Sequence, residues 1–406
     1  MPLDQPHPTP PARTRTRLAS LDIFRGMTVA AMLLVNDPGD WSAIHGPLRH
    51  AAWHGWTPTD LIFPFFLFMV GITTRLSLGH RRAAGADQSA LVRQILRRSA
   101  VLFGLGLFLN WFPGFTPGAH EGDGLARLAD RLLHLRIPGV LQRIALAYGT
   151  LAFLTLKTPL RLQILLIPAI LLVYWLLLMG VPVPGSGATG AAAIADPAGT
   201  LAALVDRALL DWGPLGNHLW EQSRSWDPEG LLSTLPALAT TLLGGCAGAW
   251  LGRDLPLDRR IAGLALAGVA GIFLGLLWNQ AFPINKNLWT SSYVLLSGGF
   301  AALALAAIMA LIEQAGLVRW AKPFLAFGVN PILAYVGSEL MAIMIYEVIP
   351  VPGSGGSVTL EAWIYRHGFL GWLAPADASL GFALLFVAVW WAILAVLQRR
   401  GIILKI

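Results

Sequence analysis

Apolar residues form ten long runs along the chain, and polar segments separate them. A helix that crosses the hydrocarbon core of a bilayer needs about 20 mostly apolar residues. The pattern therefore predicts spanning helices at residues 18–37, 61–79, 98–113, 139–157, 160–180, 231–252, 260–279, 288–312, 323–349 and 379–398. We expect an all-α integral membrane protein with about ten transmembrane helices.

The composition agrees with this interpretation. Of the 406 residues, 55% are hydrophobic and only 13% are charged, whereas soluble domains carry about 25% charged residues. No long polar linker interrupts the apolar runs after residue 18. We therefore expect one transmembrane domain over residues 18–406, preceded by an N-terminal tail at residues 1–17. The tail leads straight into the first run, which behaves as an uncleaved anchor.

Basic residues in the connections predict the orientation, because Lys and Arg collect on the cytoplasmic side of a membrane. Eighteen of them lie on the side of the N-terminal tail and eight on the other. Both termini are therefore expected in the cytoplasm, with the long loops outside: 38–60, 114–138, 181–230 and 350–378. The net charge of +7 has the same explanation. We do not expect nucleic acid as a partner, because the sequence has no basic patch interleaved with aromatic residues.

The first outer loop carries three histidines within ten residues: His45, His50 and His54. Their spacing, with no acidic partner in a fixed pattern, does not favour zinc, and we expect no metal site. A general base or an acyl acceptor needs only one histidine, with a neighbour that fixes its tautomer. Polar side chains predicted at the same depth could be that neighbour: Asn36, Asp37, Asp40 and Asp60.

Charged and polar residues also lie inside the predicted helices, where they usually pair or line a cavity. Asp22 and Arg25 share one face of the first helix, either as a structural pair or as a polar wall where an anionic ligand enters. Arg143 lies one turn inside the fourth helix and is expected to face the bundle. Asn330 is expected to be buried in the ninth helix, where Pro331 frees backbone groups that can line a cavity.

Two further polar motifs introduce helices on the outer side. Asp227 and Glu229 precede the sixth helix, and Asn285 and Lys286 precede the eighth. Together with the histidine loop they predict a polar cavity that opens outward. These residues alone are compatible with a membrane enzyme, a secondary transporter of a sugar or cationic solute, or a structural envelope protein. No internal repeat is evident, which weakens the transporter hypothesis.

Six motifs at helix ends narrow this choice: LDIFRG at 21–26, HAAWHG at 50–55 with TDLIFP at 59–64, RIPGVLQR at 136–143, DPEG at 227–230, NKNLW at 285–289 and LKI at 404–406. The first is shared by many families, but the ordered set is specific. It resembles the heparan-alpha-glucosaminide N-acetyltransferase family, and in particular its short bacterial members, over about residues 17–406.

The resemblance implies an acetyl-CoA-dependent N-acetyltransferase that moves an acetyl group from cytoplasmic acetyl-CoA to the amino group of a glucosamine-type sugar outside. The family's active-site histidine falls on His50, and its partner asparagine falls on Asn36. The candidates for holding acetyl-CoA are Arg25, Arg143, Asn285 and Lys286. The candidates for binding the acceptor are Asp37, Asp60, Asp227, Glu229 and Asn330.

The chemistry is consistent with this role. A glucosamine amine must lose a proton before it attacks a thioester, and a histidine side chain, with an ordinary pKa of about 6.5, can accept that proton. Alternatively the imidazole attacks first and forms an acetyl-histidine. Asn36 could donate a hydrogen bond to the developing oxyanion.

By comparison with the animal enzymes we expect no additional N-terminal lumenal domain, and we expect the protein in a bacterial inner membrane with its site open to the periplasm. Besides acetyl-CoA, the expected partners are a glycan acceptor and the lipid bilayer, and the resemblance is compatible with a homodimer. The physiological acceptor stays open, as does the choice between a ping-pong and a ternary-complex mechanism.

Overall fold

The computed structural model describes residues 18–112, 124–353 and 356–404. The N-terminal tail, the first part of the predicted loop 114–138 and the last two residues of the LKI motif lie outside this part of the chain.

Fourteen α-helices lie in the described ranges. In chain order they are α1 (Ala19–Asn36), α2 (Ile62–Ala83), α3 (Gln88–Trp111), α4 (Gly124–Leu133), α5 (Val140–Lys157), α6 (Leu160–Gly180), α7 (Leu201–Leu210), α8 (Leu231–Leu251), α9 (Leu257–Trp278), α10 (Ser291–Met309), α11 (Lys322–Val329), α12 (Pro331–Ile343), α13 (Leu360–Tyr365) and α14 (Pro375–Arg399). One antiparallel hairpin joins β1 (Pro350–Gly353) to β2 (Gly356–Thr359).

Eight helical segments of the described chain are long and apolar enough to cross a membrane: Ala19–Asn36, Pro58–Ala83, Leu160–Gly180, Leu231–Leu251, Leu257–Trp278, Ser291–Gln314, Pro331–Val348 and Pro375–Arg399. The two other predicted spans correspond to α3, with 24 residues, and α5, with 18 residues. The prediction of an all-α integral membrane protein is therefore confirmed.

Small residues let the helices approach each other closely. A Cβ atom on Gly26 of α1 would collide with the carbonyl oxygen of Phe324 in α11, and one on Gly328 of α11 would collide with the carbonyl oxygen of Asp22. Close approach at small residues is a common way to pack membrane helices. By contrast α9 leaves large apolar side chains exposed, such as Leu266 and Phe273, as expected of a helix that faces lipid.

The ninth predicted span is not one helix, as the pattern over 323–349 suggested. It breaks at Asn330, between α11 and α12, because Pro331 disfavours the helical conformation of the residue before it. The Asn330 side chain is buried, and its amide donates to the carbonyl oxygen of Ile402 at 3.0 Å and accepts from the backbone N–H of Leu404 at 2.9 Å. Asn330 therefore holds the C-terminal segment beside the start of α1.

This position separates Asn330 from the other predicted acceptor residues. Arg25, in the second turn of α1, donates from Nε to the carbonyl oxygen of Gly328 at 2.9 Å, whereas Asn36 and Asp37 lie at the opposite end of the same helix. Eighteen residues of α-helix extend over about 27 Å. The structure thus places Asn330 near one end of the bundle and the histidine loop near the other.

Candidate functional site

His50 is paired with a fully buried aspartate at the start of α2. Its Nδ1 atom lies 2.6 Å from Oδ1 of Asp60, whose side chain has no exposed surface. The second carboxylate oxygen accepts the backbone N–H groups of Ala51 at 3.1 Å and Thr57 at 3.0 Å. A turn at Pro58–Leu61 holds the aspartate in this position. Because the His50 side chain is 43% exposed, a rigidly held carboxylate supports an imidazole that a substrate can reach.

Lys286 is the second partner of His50. Its Nζ atom lies 3.0 Å from Nδ1 and 3.2 Å from Nε2 of the ring, and 3.7 Å from Oδ1 of Asp60. Burial lowers the pKa of Lys286, and the negative charges of Asp60 and Glu229 offset only part of this effect. His50, Asp60 and Lys286 form a compact cluster, which we call the histidine cluster.

A strained loop before α10 brings Lys286 to the histidine. Trp289 adopts a φ of 53°, a left-handed conformation that is unusual for a bulky residue and costs of order 1–3 kcal/mol. Asn285 shapes the loop, since its backbone N–H donates to Thr290 and its side chain accepts from Leu288. The structure thus places Asn285, one of the residues predicted to hold acetyl-CoA, in the framework of this loop.

Asp227 and Glu229 are brought beside the histidine cluster, where both bind Arg136. The guanidinium contacts Asp227 through two hydrogen bonds, of 2.8 and 2.6 Å, and Glu229 through one of 2.6 Å. Burial opposes the charge of Arg136, but the two carboxylates outweigh it and raise the pKa. Sequence reasoning named the two acids and missed this partner. RIPGVLQR and DPEG were both visible as motifs, but 91 residues separate Arg136 from Asp227.

Arg143 lies below the strained loop. It is 1% exposed, its Nη2 donates to Ser233 Oγ at 2.5 Å, and its guanidinium lies 5.0 Å from the ring centre of Trp289. Its Nε and Nη1 atoms have no hydrogen-bond partner within the described ranges. The residue faces the bundle, as the sequence suggested, and its cation–π contact supports the Trp289 ring.

The structure pairs Asn36 with a residue that sequence reasoning did not select for the site. The Asn36 side chain lies beside the carboxylate of Glu339 on α12. The next residue, Asp37, is 5% exposed, and burial raises its pKa well above the ordinary value, with a smaller contribution from Glu339. The hydrogen-bond partners found for His50 are Asp60 and Lys286.

The two other histidines have separate partners. His45 Nε2 lies 2.9 Å from Oδ1 of Asp377 at the start of α14. His54 Nδ1 lies 3.5 Å from the side-chain amide of Asn285, and partial burial lowers the pKa of His54. The described ranges contain no group of three or more His, Cys, Asp or Glu side chains that could hold a metal ion.

A narrow pocket of about 70 Å³ lies between α1, α2, α3, α5 and α12. Along α2 its lining extends from Phe63 to Thr73, about 15 Å of helix. At the Phe63 end the aromatic ring packs edge-on against Trp289, 5.2 Å between centres. The pocket is also lined by Arg25 and Arg98. The pocket therefore extends from a residue that contacts Trp289 to two cationic side chains.

The fold and this cluster define a multispan membrane protein with a histidine–aspartate pair at one end of its helices. Residues 17–120 match the family described as heparan-alpha-glucosaminide N-acetyltransferase, catalytic. The chain is 31% identical to the heparan-alpha-glucosaminide N-acetyltransferase of Homo sapiens over 370 residues, and 31% identical to that of Mus musculus over 371. These matches confirm the predicted resemblance to this family.

The match covers 80% of this chain and 53% of the human or 54% of the mouse protein. The chain thus spans about half the length of the curated relatives it matches.

Proposed function

We propose that this protein is a transmembrane acetyltransferase that moves an acetyl group from acetyl-CoA to the amino group of a glucosamine-type sugar. The observation that carries the proposal is the pair formed by His50 and the buried Asp60, 2.6 Å apart. The names of the two curated relatives, both N-acetyltransferases, support the reaction class.

Asp60 determines which ring nitrogen of His50 carries the proton. Its carboxylate accepts the Nδ1–H of His50, which leaves Nε2 with a lone pair. That nitrogen can take the proton of the acceptor amine, or attack the thioester itself and carry the acetyl group. A buried carboxylate that orients the ring and stabilises its cation is the arrangement found in hydrolases with a serine, histidine and aspartate.

The donor is expected in the pocket between α1, α2, α3, α5 and α12. Arginine binds phosphate groups well, and Arg25 and Arg98 both line this pocket. The Nε atom of Arg98 is buried without a hydrogen-bond partner in the described part of the chain. This N–H group is therefore available to donate to an anionic ligand. Of the four residues predicted to hold acetyl-CoA, Arg25 fits the phosphate end. Arg143, Asn285 and Lys286 lie towards the reacting end.

The acceptor is expected to approach the exposed side of His50. Of the predicted acceptor residues, Asp227 and Glu229 lie beside the histidine cluster, and Arg136 balances part of their charge. With the positive-inside orientation, this side faces the periplasm of a bacterial inner membrane, and the phosphates of acetyl-CoA enter from the cytoplasm.

The test measures acetyl transfer by the purified protein from acetyl-CoA to glucosamine and short glucosamine oligosaccharides. Mass spectrometry detects the acetylated products. Wild type is compared with His50→Ala and with His45→Ala, a matched control whose partner is Asp377. We expect transfer by wild type and His45→Ala and none by His50→Ala.

Undiminished turnover by His50→Ala would reject the assignment of that residue. Binding of acetyl-CoA without transfer to any amino sugar would point to a different acceptor. Accumulation of an unmodified sugar in vesicles would instead favour a secondary transporter.

A further inference from the structure

The position of Lys286 relative to the His50 ring suggests a role beyond holding the donor. Its Nζ atom is almost equally distant from the two ring nitrogens, at 3.0 and 3.2 Å. A group at such a point lies beside the ring and not along the in-plane direction of the Nε2 lone pair. The ammonium therefore lies close to the reacting nitrogen but does not block the direction of its lone pair.

The charge of Lys286 is only loosely compensated. Its distance to Asp60 Oδ1 is 3.7 Å, beyond an ordinary hydrogen bond, and the Asp60 carboxylate already accepts from His50 and from two backbone N–H groups. The carboxylate of Glu229 is bound to Arg136 at 2.6 Å. The Lys286 side chain is 18% exposed, so its charge is screened less by water than that of a fully exposed lysine.

We infer that Lys286 is a catalytic residue whose ammonium stabilises the oxyanion that forms on the thioester carbonyl as the acetyl group is transferred. This inference rests on the proposed acetyltransferase function. The Asn36 amide, the alternative donor for the oxyanion, lies beside the carboxylate of Glu339. The loop that carries Lys286 is held by Asn285 and Trp289, so little reorganisation is needed when charge develops.

The step balances as follows for direct attack. The amine lone pair forms a bond to the carbonyl carbon, the π pair moves onto the oxygen beside Lys286, and His50 Nε2 takes the proton that the amine loses. When the tetrahedral adduct collapses, the pair returns from the oxygen, the C–S bond breaks, and the thiolate receives the proton from His50. If His50 attacks first, the same oxyanion forms once in each of the two transfers.

The groups that face Lys286 come from four elements. His50 belongs to the first long loop, Asp60 to the start of α2, Glu229 to the segment before α8 and Arg143 to α5. Burial lowers the pKa of Lys286, so the ammonium is lost at a lower pH than that of an exposed lysine. The rate of transfer should therefore fall on the alkaline side as this charge disappears.

The experiment compares wild type with Lys286→Met, Lys286→Arg and the control Lys157→Met, which removes an exposed lysine at the end of α5. We measure kcat and the KM for acetyl-CoA with glucosamine as acceptor, over a range of pH, and the melting temperature of each variant. Lys286→Met should lower kcat by about 10²–10³-fold, the effect of losing one oxyanion donor, with little change in KM. Lys157→Met should match wild type.

Lys286→Arg should recover part of the rate and move the alkaline limb of the profile to higher pH, because guanidinium keeps its proton. This readout decides the question even if Lys286→Met does not fold. A kcat of Lys286→Met equal to that of wild type would overturn the inference, and so would an alkaline limb that is unchanged in Lys286→Arg. If wild type transfers no acetyl group, the proposed function fails and this inference fails with it.

Discussion

The imidazole of His50 and the carboxylate of Asp60 lie 2.6 Å apart, with the imidazole exposed and the carboxylate completely buried. Asp60→Asn should lower acetyl transfer by roughly 10³–10⁴-fold, because an amide in place of the carboxylate favours the wrong tautomer of the histidine. Transfer is measured by mass spectrometry with acetyl-CoA and glucosamine. A melting temperature equal to that of wild type shows that the variant folds. Activity within a factor of ten of wild type would contradict the role of Asp60.

Arg98 should contribute to donor binding. Arg98→Gln is expected to raise the KM for acetyl-CoA by about 10- to 100-fold, corresponding to the 1.5–3 kcal/mol of a hydrogen bond to a charged group, with a smaller effect on kcat. Arg97→Gln is the matched control, because Arg97 is exposed and only its neighbour Arg98 lines the pocket. Equal KM values for the two variants would place the phosphates elsewhere.

Asp206 should make the folded state sensitive to pH. It lies on α7, accepts the backbone N–H of Leu231 at 2.8 Å, and has a pKa raised to about 7, mainly by burial and further by Asp227. Between the ordinary value of 3.8 and about 7, the folded protein holds a proton that the unfolded chain releases. The free energy of unfolding therefore decreases as pH rises through this window.

Asp206→Asn should remove this contribution, since an amide does not titrate and still accepts from Leu231. The expected result is a flatter dependence of melting temperature on pH between about 4 and 7 than in wild type. Thermal unfolding of the two proteins in the same detergent measures it. An unchanged slope in the variant would mean that other groups cause the dependence.

The contact between α1 and α11 should tolerate no side chain at Gly26. Gly26→Ala places a Cβ against the backbone of Phe324, and overpacking of this kind costs about 1–3 kcal/mol. Gly104→Ala in α3 is the control, because nothing lies within 4 Å of its added Cβ. Thermal unfolding should show a lower melting temperature for Gly26→Ala alone. Equal values would indicate that the helices can separate without loss.

Much of the local structure follows from the sequence. Apolar runs predicted the helices that cross the bilayer. Because lipid offers no hydrogen-bond partners to the backbone, each segment forms a helix, in which the backbone groups bond to one another. The position of His50, Asp60 and Lys286 at the same depth was predicted from helix ends alone. Helix ends indicate the depth of a residue but not which residues at that depth are neighbours.

Partners between helices were decided by the tertiary structure. Asn36 and Asp60 were both candidates to orient His50, and the fold brings Asp60 to the ring while Asn36 lies beside Glu339. The choice depends on how α1, α2 and α12 are rotated about their axes, which a pattern of apolar residues leaves undetermined when most faces of a helix are apolar.

The sequence by itself determined the class of protein and the family that it resembles, and it predicted the loop on which the proposed chemistry depends. Only the tertiary structure decided that Arg136 binds both Asp227 and Glu229, that Asn330 holds the C-terminal segment, and that Lys286 lies beside His50. His50 and Lys286 are 236 positions apart in the sequence. Contacts between residues so far apart in the sequence arise from the packing of whole helices. The free energy of that packing is spread over many apolar side chains, so no short motif predicts it.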